Sequence, residues 1–422
     1  MSSFTPDIQV PMTRAILDRF RPPAFSALRG PFSRSGRDAA RSIAFIAGSI
    51  AVGAIGWSGN PLTLPGAMAF PALWAFSPSR MVAVCVSAGY FLAASRGLPQ
   101  GVVNFYGSQF ALGIAFWLAA SLAFVTIHVA LWTSSAGWER ALRYAIVAVV
   151  MSVPPFGIVG WAHPITASGI LFPGWGWFGV TAAAILMLVM TMRRWSIAAA
   201  LLGGLWTWSA ASWTPPNLPE GWVGVDTRFR GSAGQYAGYT QQLRTTALAK
   251  TEAMRGARIA VLPESAAGLW TSTVERLWAR ELTGSGVTVI AGAAVVDQYG
   301  YDNVMMRISA KGSEILYRER MPVPVSMWQP WLAWVGQRGG ARAHVFANPV
   351  VDVEGVKIAP LICYEQLIVW PVLQSMLHRP DVIVAAGNGW WTSGVSIVAI
   401  QKASAQAWAS LFGLPLVLAV NR

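Results

Sequence analysis

The chain has 422 residues, of which 54% are hydrophobic and only 12% charged, and its mean hydropathy is +0.47. A charged share about half that of ordinary soluble proteins excludes an all-soluble chain, and 22 Trp with 18 Phe exclude a solvated coil. The net charge of +13 is uneven: residues 1–213 hold 13 Arg and Lys against 4 Asp and Glu, whereas residues 214–422 hold 18 against 14.

That contrast predicts a membrane domain followed by a globular one. Residues 1–41 carry Arg14, Arg19, Arg21, Arg29, Arg34, Arg37 and Arg41 and precede the first apolar run. The segment is too long for a signal-peptide n-region and no small-residue cleavage site follows it, so it reads as a retained cytoplasmic anchor. Residues 42–213 then contain seven apolar runs at about the 17–25 residues a spanning helix needs: 42–58, 61–77, 81–95, 108–133, 144–162, 172–192 and 196–213. The third is short and the second contains Pro61, Pro65 and Pro71, so these two also fit a re-entrant hairpin. Alternate loops carry Arg80, then Arg140 with Arg143, then Arg193 with Arg194, while the intervening loops carry only Arg96. Basic loops face the cytoplasm, so seven crossings put everything after Trp213 in the periplasm of a bacterial inner membrane. Because the basic residues sit at the ends of apolar runs, anionic lipid headgroups are the expected partner and direct nucleic-acid binding is not.

Thr214 to Gly221 contains three Pro and reads as a linker. Beyond it, residues 222–422 alternate strand and helix patterns, which predicts an α/β sandwich. Strands are expected at 222–227, 258–263, 287–296, 303–309, 313–319, 356–362, 381–386 and 415–420, and helices at 236–255, 272–283, 366–378 and 395–411. Lys311 falls in the turn of a hairpin.

Two strand ends are chemically distinctive: one runs into Pro263-Glu264, the other into Cys363 just before a helix. In α/β folds the carboxyl ends of strands are where ligands bind. A thiol at a helix N-terminus has its thiolate favoured by the dipole, although a buried structural thiol fits the position equally. The other cysteine, Cys85, lies in an apolar run and reads as packing. Two Cys make no disulfide framework, and four scattered His make no metal-ligand spacing, so neither metal nor cofactor is expected.

At these residues the chain resembles the carbon–nitrogen hydrolase (nitrilase) superfamily. Pro263-Glu264-Ser265, Cys363-Tyr364-Glu365 and Asn388-Gly-Trp-Trp391 with Gln401 are similar to its ordered motifs. Seven spans feeding such a domain look like bacterial apolipoprotein N-acyltransferase. Closer still, Gly56-Trp-Ser-Gly, Ala94-Ser-Arg-Gly-Leu-Pro-Gln-Gly, Phe172-Pro-Gly-Trp-Gly-Trp and Tyr317-Arg-Glu-Arg-Met-Pro-Val-Pro resemble a family of conjugal transfer proteins of agrobacterial and rhizobial plasmids. The resemblance implies an αββα sandwich and a Glu-Lys-Cys triad in which Glu264 is the base and Cys363 the nucleophile, acting on an amide or ester through a thioester. The lysine's place holds Glu319, expected to repel both Glu264 and a developing oxyanion. Arg318, Arg320, Tyr364, Glu365, Asn388 and Trp390 are candidates to stabilise the oxyanion or support the site.

Compared with the acyltransferases, the chain stops short of the last strands and of a closing membrane helix. Trp328, Trp331 and Trp334, in the segment 321–340 beside the site, read either as a membrane-facing lid or as a lid packed on the domain. Three functions stay open: a membrane-bound thiol hydrolase or acyltransferase acting on a lipid-linked or amide substrate, an inactive scaffold binding other conjugation proteins, and a tethered amidase with a soluble substrate.

Overall fold

The computed structural model describes residues 36–107, 110–229, 236–337 and 340–422. Most of the Arg-rich segment, from Arg14 to Arg34, lies outside the described residues. Contacts divide the chain into Met1–Arg41 and Ser42–Arg422. Of the first unit, residues 36–41 are described and begin helix α1 (Gly36–Gly56).

In the second unit, α1 is followed by a 3-10 segment (Pro61–Ala69), α2 (Phe70–Ala75), α3 (Arg80–Ala94), α4 (Leu98–Tyr106), α5 (Phe110–Leu131), α6 (Trp138–Ser152), α7 (Ser168–Leu171), α8 (Gly176–Met190) and α9 (Trp195–Ser212). Among the described residues two helices, Asp38–Gly56 and Phe110–Leu131, are long and apolar enough to cross a membrane, and α3 with α4 form a pair bent by 49° that passes as one span. Seven runs were expected, the second and third also fitting a re-entrant hairpin, and proline accounts for much of the difference. Run 61–77 is no spanning helix: Pro61, Pro65 and Pro71 each remove an N–H donor, leaving a 3-10 segment and the six-residue α2, whose Phe70 and Trp74 are fully buried. Run 144–162 ends as a helix at Ser152, just before Pro154-Pro155. Run 172–192 becomes helical only at Gly176, beyond Pro173 and Gly174. Helix α9 has the length, but Ser196, Gly203, Gly204, Thr207 and Ser209 dilute its apolar character.

Polar side chains tie these helices internally. Ser49 donates to the Val86 carbonyl at 2.6 Å, and Trp57 Nε1 donates to the Tyr90 hydroxyl, which donates to the Ala162 carbonyl. Side chains such as Ile50, Leu118, Leu122, Ile185 and Leu201 face outward. The basic loops gather at one end: Arg80 donates to the Val129 and Trp132 carbonyls, Arg140 to those of Ser134 and Ser135, and Arg193 and Arg194 line one groove with Ala136 and Gly137.

At the opposite end sits the sandwich. One sheet has order β1 (Trp222–Gly224), β2 (Ile259–Val261), β3 (Thr288–Asp297), β4 (Gly300–Ser309), β5 (Gly312–Arg318); its first three strands are parallel and the rest antiparallel. Helices α10 (Ala237–Met254) and α11 (Ser272–Leu282) cover its outer face through Ala249, Trp278 and Leu282. The second sheet has order β6 (Val351–Val353), β7 (Val356–Ile362), β8 (Val382–Asn388), β9 (Leu416–Asn421), with β7, β8 and β9 parallel. Strand alternation sorts its side chains: Val382, Val384 and Ala386 point to the inter-sheet core with Ile259, Ile290 and Val417, while Ile383 and Ala385 point out toward α12 (Val369–Met376) and α13 (Ile397–Phe412). This is the αββα sandwich that the resemblance implies. The three-residue β6 was not among the predicted strands, and Lys311 is exposed in the β4–β5 turn as expected.

Helix α13 is buried on both sides, lying between the second sheet and the helices of residues 42–213. Ala403, Ala407, Trp408 and Leu411 share one core with Phe70, Leu171 and Met187. Its backbone meets α7 so closely at Ala407 that a Cβ on Gly169 would overlap the Ala407 carbonyl.

Candidate active site

Strands β2, β5, β7 and β8 end on the same side of the sandwich, and the residues that follow them converge there. Glu264 lies just past β2, in a loop pressed against β3. Any Cβ at Gly292 would overlap the Glu264 backbone, so only glycine lets the loop lie there. Cys363 follows β7 directly, in the left-handed region at φ +43°, and Ser265 beside the base has φ +60°. Such conformations cost about 1–3 kcal/mol each and persist where the surroundings impose them. Both catalytic candidates are 5% exposed.

The two meet. The contact with the thiol favours the charged form of Glu264, and the contact with Glu264 keeps the proton on sulfur. Glu264 Oε2 has no hydrogen-bond partner among the described residues. Glu264 Oε1 accepts from Asn303 Nδ2 at 2.8 Å. Burial pushes the Glu264 carboxyl up to about 6, against the opposing pull of Asn303, the thiol and the Asn388 N–H. Gln401 Nε2, on α13, donates to Cys363 Sγ at 3.5 Å.

Of the two readings the sequence leaves open for Cys363, the dipole-favoured thiolate is not what the fold builds. Cys363 opens only a four-residue 3-10 turn, Cys363–Gln366. Burial first, and then the neighbouring carboxyls of Glu264 and Glu319, push the thiol well above its ordinary value. The resting nucleophile is a neutral thiol beside a base.

Glu365 fixes that turn. Its Oε2 accepts from the Ile362 N–H at 2.8 Å, and its Oε1 from the Tyr317 hydroxyl and the Arg320 N–H, each at 2.7 Å. Arg320, fully buried, is committed to supporting it: the guanidinium donates to Tyr317, Gln374 and Ser375 side chains and to the Pro371 and Pro360 carbonyls. Arg318 turns to Asp302, which also pairs with Arg342 and His344. Neither arginine therefore faces the thiol, correcting their candidacy as oxyanion groups. Tyr364 reaches away too, its hydroxyl donating to the Ile158 carbonyl, and Trp390 stacks on Phe105 at 5.7 Å.

Glu319, fully buried, is joined to the base by one amide, because Asn303 Nδ2 also donates to Glu319 Oε2 at 2.8 Å. Burial, Glu264 and Glu365 push its carboxyl well above the usual range. The surroundings thus favour the neutral form of Glu319 over the repulsive anion expected at this position. Sequence reasoning missed Asn303, a strand residue in no motif, and Asn421, whose side chain donates to the Asn388 carboxamide oxygen and accepts from Thr227 Oγ1. The lid divides: Trp328 packs with Met321, Ile368 and Trp370, whereas Trp334 is 84% exposed. Among the described residues no cluster of His, Cys, Asp or Glu could hold a metal.

A Glu and a Cys that follow strands of the two sheets and converge on one side, with an amide on the sulfur, are the groups that acyl chemistry through a thiol requires. A family model described as carbon-nitrogen hydrolase matches residues 92–410, and the chain belongs to that family. It is 58% identical over 413 residues to "Conjugal transfer protein TraB" of Agrobacterium fabrum, covering 96% of this chain and 98% of that one. It is 56% identical over 373 residues to "Probable conjugal transfer protein TraB" of Sinorhizobium fredii, covering 88% and 96%. Among solved structures, an amidase from Nesterenkonia sp. is 13% identical and covers 47% of this chain and 74% of its own, with a TM-score of 0.33.

Proposed function

We propose that this protein is a membrane-bound enzyme of plasmid conjugation that transfers or hydrolyses an amide- or ester-linked acyl group through a Cys363 thioester. The observation that carries the reading is the convergence of a buried thiol and a buried carboxyl at the strand ends, with Gln401 Nε2 on the sulfur. Glu264 takes the thiol proton as sulfur attacks the carbonyl carbon, the leaving amine or alcohol departs with that proton, and water or an acceptor amine then releases the acyl group.

The membrane assignment is supported by outward-facing apolar side chains on the helices of residues 42–212 and by polar ones, Ser49, Trp57 and Tyr90, that bond inward. The inner-membrane topology, with the sandwich periplasmic, is supported by the basic loops lying at the end opposite the sandwich. A lipid-linked substrate fits this arrangement, because α4 meets the loop beside the site: Asn104 donates to the Trp391 and Ser393 carbonyls.

The chain's similarity to conjugal transfer proteins also fits a scaffold, whose partners would be other conjugation proteins, and Glu319 in the lysine's place favours that reading. One pair of measurements separates the two. Cys363→Ala, membrane-inserted at the native level, should lose both acyl-probe labelling and plasmid transfer. Undiminished transfer by that variant would establish the scaffold and discard the enzyme.

A further inference from the structure

Three buried carboxyls, Glu264, Glu319 and Glu365, act on one another, the first two also on the thiol, and they are not equally supported. Glu365 receives hydrogen bonds from Tyr317 and the N–H groups of Ile362, Arg320 and Met321, with the Arg320 guanidinium 3.8 Å away. Glu264 receives the Asn303 amide on Oε1, and the nearby Asn388 N–H and thiol favour its charged form. Glu319 receives only the Asn303 amide, and its Oε1 is enclosed without a hydrogen-bond partner among the described residues. The groups facing Glu319 are Glu264, Glu365, Cys363 and the Tyr301 phenol; the flanking Arg318 and Arg320 are turned to Asp302 and Glu365. Two carboxylates sharing one amide away from water cannot both ionise, and the less supported one keeps the proton.

We propose that Glu319 is a catalytic residue in its neutral form, its carboxyl O–H donating a hydrogen bond to the substrate's carbonyl oxygen as the Cys363 sulfur attacks. The free Oε1 is the oxygen available for that hydrogen. As the S–C bond forms, the thiol proton passes to Glu264 and the carbonyl π pair moves onto oxygen, where the Glu319 O–H holds it. When the oxygen pair re-forms the carbonyl, the leaving group departs with the proton from Glu264, and Glu319 is unchanged. A neutral carboxylic acid in an apolar site is an established kind of oxyanion donor, and burial already holds Glu319 protonated. The inference rests on the thioester reading above.

The test uses the full-length protein in detergent micelles with p-nitrophenyl acetate, following first-turnover p-nitrophenolate release and locating the acetyl group on Cys363 by mass. Glu319→Gln keeps an N–H donor in the same place and should acylate within about threefold of the native rate. Glu319→Ala and the similarly long Glu319→Met lack a donor and should slow by about 100- to 1000-fold. Infrared spectra at neutral pH should show a protonated-carboxyl band that Glu319→Gln removes. Native-rate acylation by Glu319→Ala or Glu319→Met, or a band unchanged in Glu319→Gln, would overturn the inference alone. A native protein that forms no adduct at Cys363 overturns the thioester reading and this inference with it.

Discussion

A general base is most useful when its proton affinity lies near the ambient pH, and burial has moved the Glu264 carboxyl to about 6. The thiol itself is held protonated, so attack depends on the ionised fraction of Glu264. Labelling of Cys363 by an acyl probe should therefore rise about tenfold per unit below pH 6 and level off above it. Glu264→Gln should lower it by about 100- to 10,000-fold and flatten the profile; a rise that survives this substitution would assign the titration elsewhere. Glu319 governs stability instead. It stays neutral when folded but ionises near 4.5 when unfolded, so the unfolded chain binds fewer protons above that pH and stability falls as pH rises toward the folded value. Glu319→Gln should raise the melting temperature by an amount that grows with pH above about 4.5, which a pH series of thermal unfolding would measure. Glu264 and Cys363 were legible because each lies in a local motif at a strand end. The protonation of Glu319 was not, because proximity to Glu264 and enclosure come from tertiary packing, and Asn303, which links the two acids, has no sequence signal.

At the scale of elements, β5 and the turn after β7 are joined by the buried Tyr317–Glu365–Arg320 group, and this group sets where Cys363 stands. Arg320→Met would leave the Glu365 carboxyl buried without its cation and several acceptors without donors. A loss of about 3–5 kcal/mol is expected in denaturant unfolding, against roughly 0–1 kcal/mol for removing the exposed end of the Arg307–Glu314 pair. Strands β3, β4, β7, β8 and β9 were legible from apolar runs closed by turn residues. The interruptions after α6 and before α8 were less so: hydropathy averages over Pro154, Pro155 and Pro173, whereas the backbone cannot.

At the scale of the whole molecule, a reporter active only in the periplasm should work when fused after residue 230, and activity of only a cytoplasmic reporter there would reverse the topology. The placement of α13 has a wider consequence. Gln401, which touches Cys363, sits on the helix that residues 42–212 cover, so no boundary separates those helices from the site. A gene cut at the linker would release a fragment whose α13 shows Ala407, Trp408 and Leu411 to water, and residues 222–422 expressed alone should aggregate on size exclusion. Recombination between relatives meets the same barrier: a sandwich from one chain can work on the helices of another only if the Gly169–Ala407 seam comes with it. Exchange of either half alone would have to rebuild that seam, because the surface between them is a core.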